Sequence, residues 1–218
     1  MNFDNIEKKI RAYQEEGKSL FTSSSFQSHS IVLLHILSRI DKSIPVYFIN
    51  TGYHFPETIT FRDKITDLFG LNMVDKKPNT PKSFQKDASG KLLFTSDPDY
   101  CCHLNKVIPM DEALIEHDIW INGVRGDQSA VRKAMLVEQP APHNTLRFHP
   151  MLDWTSKMIY EYQKEFNLPK HDLESKGYLS IGCEPCTRKF DLEMQERESR
   201  WFGMNKTECG LHTALITK

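Results

Sequence analysis

The segment SLFTSSSFQSHSIVLLHILSRI, residues 19–40, decides the fold. A short apolar run at 19–22 precedes a hydroxyl-rich stretch at 23–30, and the last ten residues are apolar nearly all round. This order predicts a strand, a turn and a buried helix. Because a helix N-terminus presents unpaired N–H groups and the positive end of a dipole, the turn is a candidate anion site. The serines suit a plain helix cap about as well, and the turn lacks the glycines and lysine of a Walker A loop.

Two more buried strands are predicted, at 45–50 and 118–124, because both segments are nearly continuous apolar runs. Polar loops follow them at 50–57 and 123–132. Strands that alternate with helices predict an α/β fold with a mostly parallel sheet flanked by helices. In such sheets ligands bind beyond the carboxyl ends of the strands, so these two loops and the serine-rich turn are expected at one crevice. The polar residues from about 190 to 218 are predicted to form a mobile C-terminal arm.

The 218-residue chain has a formal net charge of −1, which gives no general reason to expect nucleic acid or an anionic membrane as a partner. No apolar run approaches the roughly eighteen residues of a membrane span. The first residues lack the basic and apolar regions of a signal peptide, so a cytoplasmic location is expected. In the cytoplasm, clustered cysteines more often serve metal or redox chemistry than disulfide bonds.

Five cysteines carry the chemistry predicted from this sequence. The adjacent pair Cys101-Cys102 and the spaced pair Cys183-x-x-Cys186 provide four thiols that can converge on one centre. Adjacent cysteines strain the two-knuckle arrangement of a four-cysteine zinc site, so a 4Fe–4S cluster is the preferred occupant and zinc is the alternative. The fifth cysteine, Cys209, is equally consistent with a nucleophile and with an inert surface thiol.

The immediate neighbours of Cys209 bear on that choice. The carboxylate of Glu208 disfavours the thiolate, which is the nucleophilic form. A nucleophilic Cys209 therefore needs a compensating cation, for which Lys206, His212 or basic residues of the crevice are candidates.

Taken together, these residues resemble the assimilatory sulfonucleotide reductases, in the order of that family and from about residue 19 to residue 212. The combination of both cysteine pairs with the Glu-Cys-Gly-Leu-His stretch is the most specific part. The matching segments are Ser23–Phe26, Asn50–Thr58, Cys101-Cys102-x-x-x-Lys106, Gly123–Ser129, Ile181–Thr187, Arg197-x-x-Arg200-Trp201 and Glu208–His212.

The resemblance implies one domain over 1–218, with an adenine-nucleotide-hydrolase-like fold and a catalytic tail at about 190–218. It implies an enzyme that reduces a sulfonucleotide to sulfite and a nucleotide. The branch that carries both cysteine pairs holds a 4Fe–4S cluster and mostly uses adenosine 5′-phosphosulfate, which would be reduced to sulfite and AMP in sulfate assimilation. The 3′-phosphorylated nucleotide is the alternative substrate.

The resemblance also implies roles for individual residues. The catalytic set is Cys209, Lys106 and His212, with Cys209 attacking the sulfate sulfur to form an S-sulfocysteine. The cluster ligands are Cys101, Cys102, Cys183 and Cys186, and the cluster acts by structure and charge rather than by carrying electrons. The substrate-binding set is Ser23, Ser24, Ser25, Asn50, Gly52, Arg125, Gln128, Arg197 and Arg200.

The cysteine count predicts a partner. If four cysteines bind the cluster, the chain has no second thiol with which to release sulfite from Cys209, so the reductant comes from outside. Thioredoxin or a glutaredoxin is the expected donor. The sequence leaves the oligomeric state open and does not exclude a homo-oligomer.

Two departures from the family pattern and two alternative functions remain. Asn50 stands where the family often has aspartate, and Gly126 stands where it often has a second arginine. One alternative is a nucleotide-binding module that holds a structural zinc and does not reduce sulfate. The other is an ATP pyrophosphatase, which would require an S-G-G-x-D-S loop that the sequence lacks.

Overall fold

A computed structural model describes residues 1–191, 199–201, 203, 204, 206, 208–212 and 215. The strands are β1 (Leu20–Ser23), β2 (Pro45–Ile49), β3 (Asn72–Lys76), β4 (Ile119–Ile121), β5 (Glu138–Pro140) and β6 (Leu146–Phe148). The helices are α1 (Phe3–Glu15), α2 (Ile31–Ile40), α3 (Pro56–Phe69), α4 (Leu93–Ser96), α5 (Pro98–Cys102), α6 (Ile108–Ile115), α7 (Ala130–Lys133), α8 (Ser156–Glu165) and α9 (Asp172–Ser175).

Short helical segments lie between or after these strands and helices. A π-helix spans His103–Val107, between α5 and α6. The 3₁₀ turns are Lys82–Phe84, Gly126–Gln128, Pro142–Asn144, Glu184–Cys186 and Gly210–His212.

The six strands form one sheet in the order β3-β2-β1-β4-β6-β5. Every neighbouring pair is parallel except β5 and β6, which are antiparallel. The predicted α/β fold with a mostly parallel sheet is therefore confirmed. From β1 the chain builds outward through β2 to β3 and then returns to the other side of β1 as β4. The order of the strands thus reverses between β1 and β4, which is where open α/β sheets bind their ligands.

Helices cover both faces of this sheet. On one face α1, α2, α3 and α8 pack on the strands, and α2 is buried nearly all round, as its sequence predicts. On the other face α6 packs on Phe21, Tyr47 and Trp120. Side chains alternate between the two faces along each strand, so Trp120 faces α6 while its neighbours Ile119 and Ile121 face α2.

The sequence did not indicate β5 and β6. Both are three residues long, and Arg147 occupies the centre of β6, fully buried with its guanidinium over the ring of Trp120. A central arginine breaks the apolar pattern from which strands are predicted.

The predicted C-terminal arm, 190–218, lies partly outside the described residues. Among its described residues, Arg200, Trp201, Glu208 and Leu215 are buried against the rest of the protein. The mobility of the arm stays a prediction. Within the described residues, no helix is both long and apolar enough to cross a membrane.

Candidate active site

A cleft opens at the carboxyl ends of β1, β2 and β4, where the sequence predicts it. Its empty volume is about 1290 Å³, including the part that is open to solvent. The turn after β1, the loop after β4 and the end of β2 line it, and segments from the C-terminal fifth of the chain close it. The predicted site residues among its lining are Ser23, Ser24, Ser25, Lys106, Arg125, Gln128, Cys183, Arg200 and Cys209.

The serine-rich turn presents hydroxyls and a helix start to this cleft. Ser23 Oγ accepts a hydrogen bond from Trp120 Nε1 at 2.9 Å, and Ser24 Oγ accepts one from the Phe26 N–H at 3.1 Å. Ser30, at the N-cap of α2, makes no side-chain capping bond. The plain helix-cap interpretation of these serines therefore does not describe the turn, and the start of the ten-residue α2 remains a site suited to an anion.

The loop after β4 holds its arginine through a short network. Arg125 is buried, its Nε lies 3.0 Å from Asp127 Oδ1, and its Nη2 donates to Ser156 Oγ at 3.0 Å. The Gln128 carboxamide oxygen accepts from the Arg125 backbone N–H and from Arg132. Gln128 thus braces the loop and links Arg125 to Arg132, a cleft-lining arginine that the motifs did not indicate.

Arg200 reaches the cleft across Gly182. Its Nη1 donates to the Ile181 carbonyl at 3.2 Å and its Nε to the Cys186 carbonyl at 3.4 Å. A Cβ placed on Gly182 would stand 2.0 Å from Arg200 Nη2. The absence of a side chain at position 182 is therefore what gives the guanidinium its place beside the cysteine segment.

The four predicted metal-binding cysteines come together. Cys101, Cys102, Cys183 and Cys186 line one cavity, with an empty volume of about 330 Å³, beside the main cleft. Burial first, and then the negative charge of the other three thiolates, raises the pKa of Cys101 to about 12. That mutual effect is expected when four thiols share a low-dielectric space, and the ammonium of Lys106 offsets part of it.

The four sulfurs of this quartet are a ligand type that both an iron–sulfur cluster and a zinc ion use. Within the ranges that the structure describes, no three His, Cys, Asp or Glu side chains are placed to hold one ion. The sulfurs also have hydrogen-bonding neighbours: Thr51 Oγ1 lies 3.3 Å from Cys183 Sγ, and Asn105 Nδ2 lies 3.5 Å from Cys101 Sγ. Such contacts are typical around iron–sulfur clusters.

Lys106 lies between the quartet and the cleft. It sits in the π-helix, a form of helix that often marks functional sites. Burial lowers its pKa, but the thiolates of Cys183, Cys209 and Cys102 outweigh burial, so the pKa is raised and the ammonium keeps its charge. Burial also raises the pKa of the Cys183 thiol. The charge of Lys106, the hydrogen bond with Thr51 and the charge of Arg200 lower this pKa by more, so the net shift is downward.

The segment that carries Cys209 is fixed through Glu208. Glu208 is buried, its Oε1 accepts from Ser129 Oγ at 2.8 Å, and its Oε2 lies 3.2 Å from Arg132 Nη2. The positive charge that compensates the Glu208 carboxylate is therefore that of Arg132, a residue that the sequence analysis did not single out. Lys206 is paired with Asp99 instead.

Four predicted residues take other positions or are not fully described. Asn50 and Gly52 do not belong to the cleft lining given by the described residues; Asn50 Oδ1 accepts from the Gly52 N–H at 3.1 Å, and Asn50 Nδ2 donates to Asp75 at 3.2 Å. Their role in binding stays a prediction. Arg197 lies outside the described residues, as does the side chain of His212, whose backbone ends the last 3₁₀ turn.

Both departures from the family pattern have a local physical basis. An aspartate at position 50 would place its carboxylate beside that of Asp75, whereas the amide of Asn50 donates to it. At Gly126 a Cβ would stand 3.1 Å from the Leu152 carbonyl oxygen, to which the Gly126 N–H already donates. A larger residue there is crowded, and Arg132 supplies the second arginine of the cleft.

The six-stranded, mostly parallel sheet, the helices on both its faces and the cleft at the strand-order reversal define an open α/β protein. A family model described as the phosphoadenosine phosphosulfate reductase domain matches residues 19–189. The chain belongs to this family.

Individual relatives and solved structures agree with this placement. The chain is 36% identical over 203 residues to an adenosine 5′-phosphosulfate reductase of Bacillus velezensis, covering 92% of this chain and 87% of the relative. It is 35% identical over the same span to the protein of that name in Bacillus cereus, with the same coverage.

Two solved structures share the fold. A phosphoadenylyl-sulfate reductase of Candida auris, in a phosphate complex, has a TM-score of 0.68 at 24% identity, over 82% of this chain and 87% of that one. An FMN adenylyltransferase of Candida glabrata has a TM-score of 0.57 at 15% identity, over 92% of this chain and 66% of that one.

Proposed function

We propose that this protein reduces adenosine 5′-phosphosulfate to sulfite and AMP in sulfate assimilation, through an S-sulfocysteine on Cys209. The observation that carries the proposal is the placement of Cys209 in the cleft that also holds the serine-rich turn, Arg125 and Arg200, beside the cysteine quartet. The Bacillus relatives named adenosine 5′-phosphosulfate reductase support the choice of substrate.

In the first step the thiolate of Cys209 attacks the sulfur of the sulfate group. A sulfur–sulfur bond forms, the bond from that sulfur to the bridging oxygen breaks, and AMP leaves with the electron pair. As in phosphoryl transfer, the protein contributes in-line positioning and neutralises oxygens that gain charge. Lys106, Arg125 and Arg200 supply that positive charge, and Arg197 and His212 are proposed to join them.

The adenosine phosphate end is proposed to bind at the start of α2. The hydroxyls of Ser23, Ser24 and Ser25 offer neutral donors there, and the helix N-terminus adds backbone N–H groups. Neutral donors at this end leave the arginines for the sulfate and for the bridging oxygen, which gains charge as AMP leaves.

In the second step an outside dithiol protein, thioredoxin or a glutaredoxin, attacks Sγ of Cys209. Sulfite leaves with the electron pair of the sulfur–sulfur bond, and the second thiol of the donor resolves the mixed disulfide. The cysteine count supports an outside donor, because the other four cysteines lie together in the quartet.

We further propose that Cys101, Cys102, Cys183 and Cys186 hold a 4Fe–4S cluster. When bound, the cluster supplies a rigid centre of negative charge rather than electrons for the substrate. Thr51 and Asn105 hydrogen-bond to Cys183 and Cys101, two of the proposed ligands. Lys106 lies between these ligands and the cleft. A cytoplasmic location and one reductase domain over 1–218 complete the proposal.

The test uses protein purified without oxygen. We expect about four irons and equivalent acid-labile sulfide per chain. Mixing with ³⁵S-labelled adenosine 5′-phosphosulfate, without thioredoxin, should label Cys209 stoichiometrically, and thioredoxin should release the label as sulfite. The C209S variant should keep its iron and take no label.

Several results would contradict the proposal. Full activity in protein without iron would show that the reaction needs no cluster. Labelling of a residue other than Cys209 would show that Cys209 is not the nucleophile. The same assay with the 3′-phosphorylated nucleotide compares the two substrates, and we expect the higher kcat/KM for the unphosphorylated one.

A further inference from the structure

The amide of Asn122 lines the cleft and has no hydrogen-bonding partner among the described residues. The residue follows β4 directly, at the strand-order reversal, and its backbone N–H continues the sheet by donating to the Phe148 carbonyl at 3.0 Å. The side chain is 4% exposed, and neither Nδ2 nor Oδ1 has a hydrogen-bonding partner in the part of the chain that the structure describes. None of the sequence motifs contains this position.

Leaving both atoms of a buried amide unpaired is costly, because the group has given up its bonds to water. Native proteins satisfy most such groups, so an exception calls for an explanation. Asn122 lies among the residues that line the cleft, beside Trp120, Gly123 and Arg125. A ligand in that cleft is the natural partner for the amide.

The alternation of the strand fixes the side of the sheet on which this amide lies. Trp120 faces α6, whereas a Cβ on Gly123 would contact Leu33 of α2 on the opposite face. Asn122 is therefore on the side of Trp120. Cys209 approaches from that same side, since its neighbours Gly210 and Leu211 pack against Val107 and the α6 cluster.

On this basis we infer that Asn122 is a substrate-binding residue. Its Nδ2 donates a hydrogen bond to an anionic oxygen of the phosphosulfate group, at the end of the nucleotide that Cys209 attacks. Anionic oxygens only accept, so Nδ2 is the atom that pairs, and it adds a neutral donor to the surrounding cations. The inference rests on the proposed function and assigns that site one further contact.

The test exploits the opposite effects that this role predicts for stability and for binding. Asn122→Leu keeps the approximate size of the side chain and removes the unpaired polar atoms. The melting temperature of the nucleotide-free variant should be equal to that of the wild type or higher by about 2–4 °C. Its affinity for ADP, whose terminal phosphate stands in for the sulfate, should fall about tenfold or more by calorimetry.

Gln163→Met is the matched control. Gln163 is also a buried amide, but its Nε2 donates to the Ser28 carbonyl at 2.6 Å. This variant should melt at a lower temperature and bind ADP as the wild type does. Asn122→Ala provides a second variant with the same expected loss of ADP affinity, should the leucine variant fold poorly.

Three outcomes overturn the inference. If the wild type binds ADP and both Asn122 variants bind it within twofold, Asn122 makes no contact and only this inference fails. If the melting temperature of the leucine variant falls in parallel with its affinity, the amide is structural. A wild type that binds no ADP overturns the proposed function, and the inference with it.

Discussion

At the scale of single residues, the site depends on a glycine as much as on its charged groups. The guanidinium of Arg200 occupies the space in which any side chain at position 182 would stand, with its Nη2 only 2.0 Å from the Cβ position. Two backbone carbonyls hold the guanidinium in that place. Gly182 therefore positions Arg200 by leaving free the space that its guanidinium occupies.

Replacing Gly182 with alanine should displace the Arg200 guanidinium. Loss of one charge-assisted contact lowers kcat/KM for adenosine 5′-phosphosulfate by about tenfold to a hundredfold. The control is Arg200→Ala, alone and combined with Gly182→Ala: if the glycine acts through Arg200, the double variant should lose no more kcat/KM than Arg200→Ala alone. Iron content, measured in all three variants, separates this effect from damage to the quartet. Additive losses in the double variant would argue against the positioning role.

At the scale of elements, a buried ion pair docks the C-terminal segment on the loop after β4. Arg132, on α7, meets Glu208, and Ser129 at the N-cap of α7 bonds the same carboxylate. The three side chains hold the residue next to Cys209 and thereby keep the thiol at the cleft. The proposed reduction by an outside protein needs Cys209 to be accessible to that protein, so we expect this contact to open during each cycle.

Arg132→Met should weaken this docking, because it leaves the Glu208 carboxylate buried without its cation. We expect Cys209 to react with iodoacetamide at least about tenfold faster than in the wild type, measured by mass spectrometry. Lys133→Met, at the exposed neighbour of Arg132, is the control and should leave the rate unchanged. Adding Glu208→Leu to Arg132→Met should restore slow labelling, since no unpaired charge remains. Equal labelling of the two single variants would show that the pair does not hold the segment.

At the scale of the whole molecule, a buried neutral histidine makes folding sensitive to acid. His149 is fully buried, and its Nδ1–H donates to the Leu136 carbonyl at 2.6 Å. Burial, reinforced by Arg147 and Arg132 nearby, lowers its pKa from 6.5 to about 4. Between these two values the unfolded chain binds a proton that the folded chain does not, so the free energy of unfolding falls as pH falls.

We therefore expect the free energy of unfolding to fall by about 3 kcal/mol between pH 6.5 and pH 4, because burial opposes protonation of His149 in the folded chain. The variant His149→Gln keeps an N–H donor and cannot titrate, so its unfolding free energy should depend less steeply on pH over that interval. Urea unfolding at a series of pH values measures the slope. His103→Gln, at an exposed histidine, should behave as the wild type. A His149→Gln slope equal to that of the wild type would refute the expectation.

The amino-acid sequence by itself determined the parts of this protein that depend on neighbours along the chain. The run 19–40 gave β1, the serine-rich turn and the buried α2, because hydrophobic periodicity is a local property. The resemblance of the motifs to a known family predicted that Lys106, Arg125, Arg200 and Cys209 lie together, and all four line the cleft. The roles of the individual site residues, including Asn50, Gly52, Arg197 and His212, remain predictions from the family pattern.

The tertiary structure alone decided which distant groups meet. Arg132 and Glu208 are 76 positions apart, and no pattern in either segment indicates their pairing. Three other features also depend on contacts between distant parts of the chain. They are the strands β5 and β6, the fit of Arg200 over Gly182, and the unpaired amide of Asn122. Each depends on the path by which the chain returns to the sheet. Only the folded path buries these groups, and only a buried charge or amide destabilises the protein when it is unpaired.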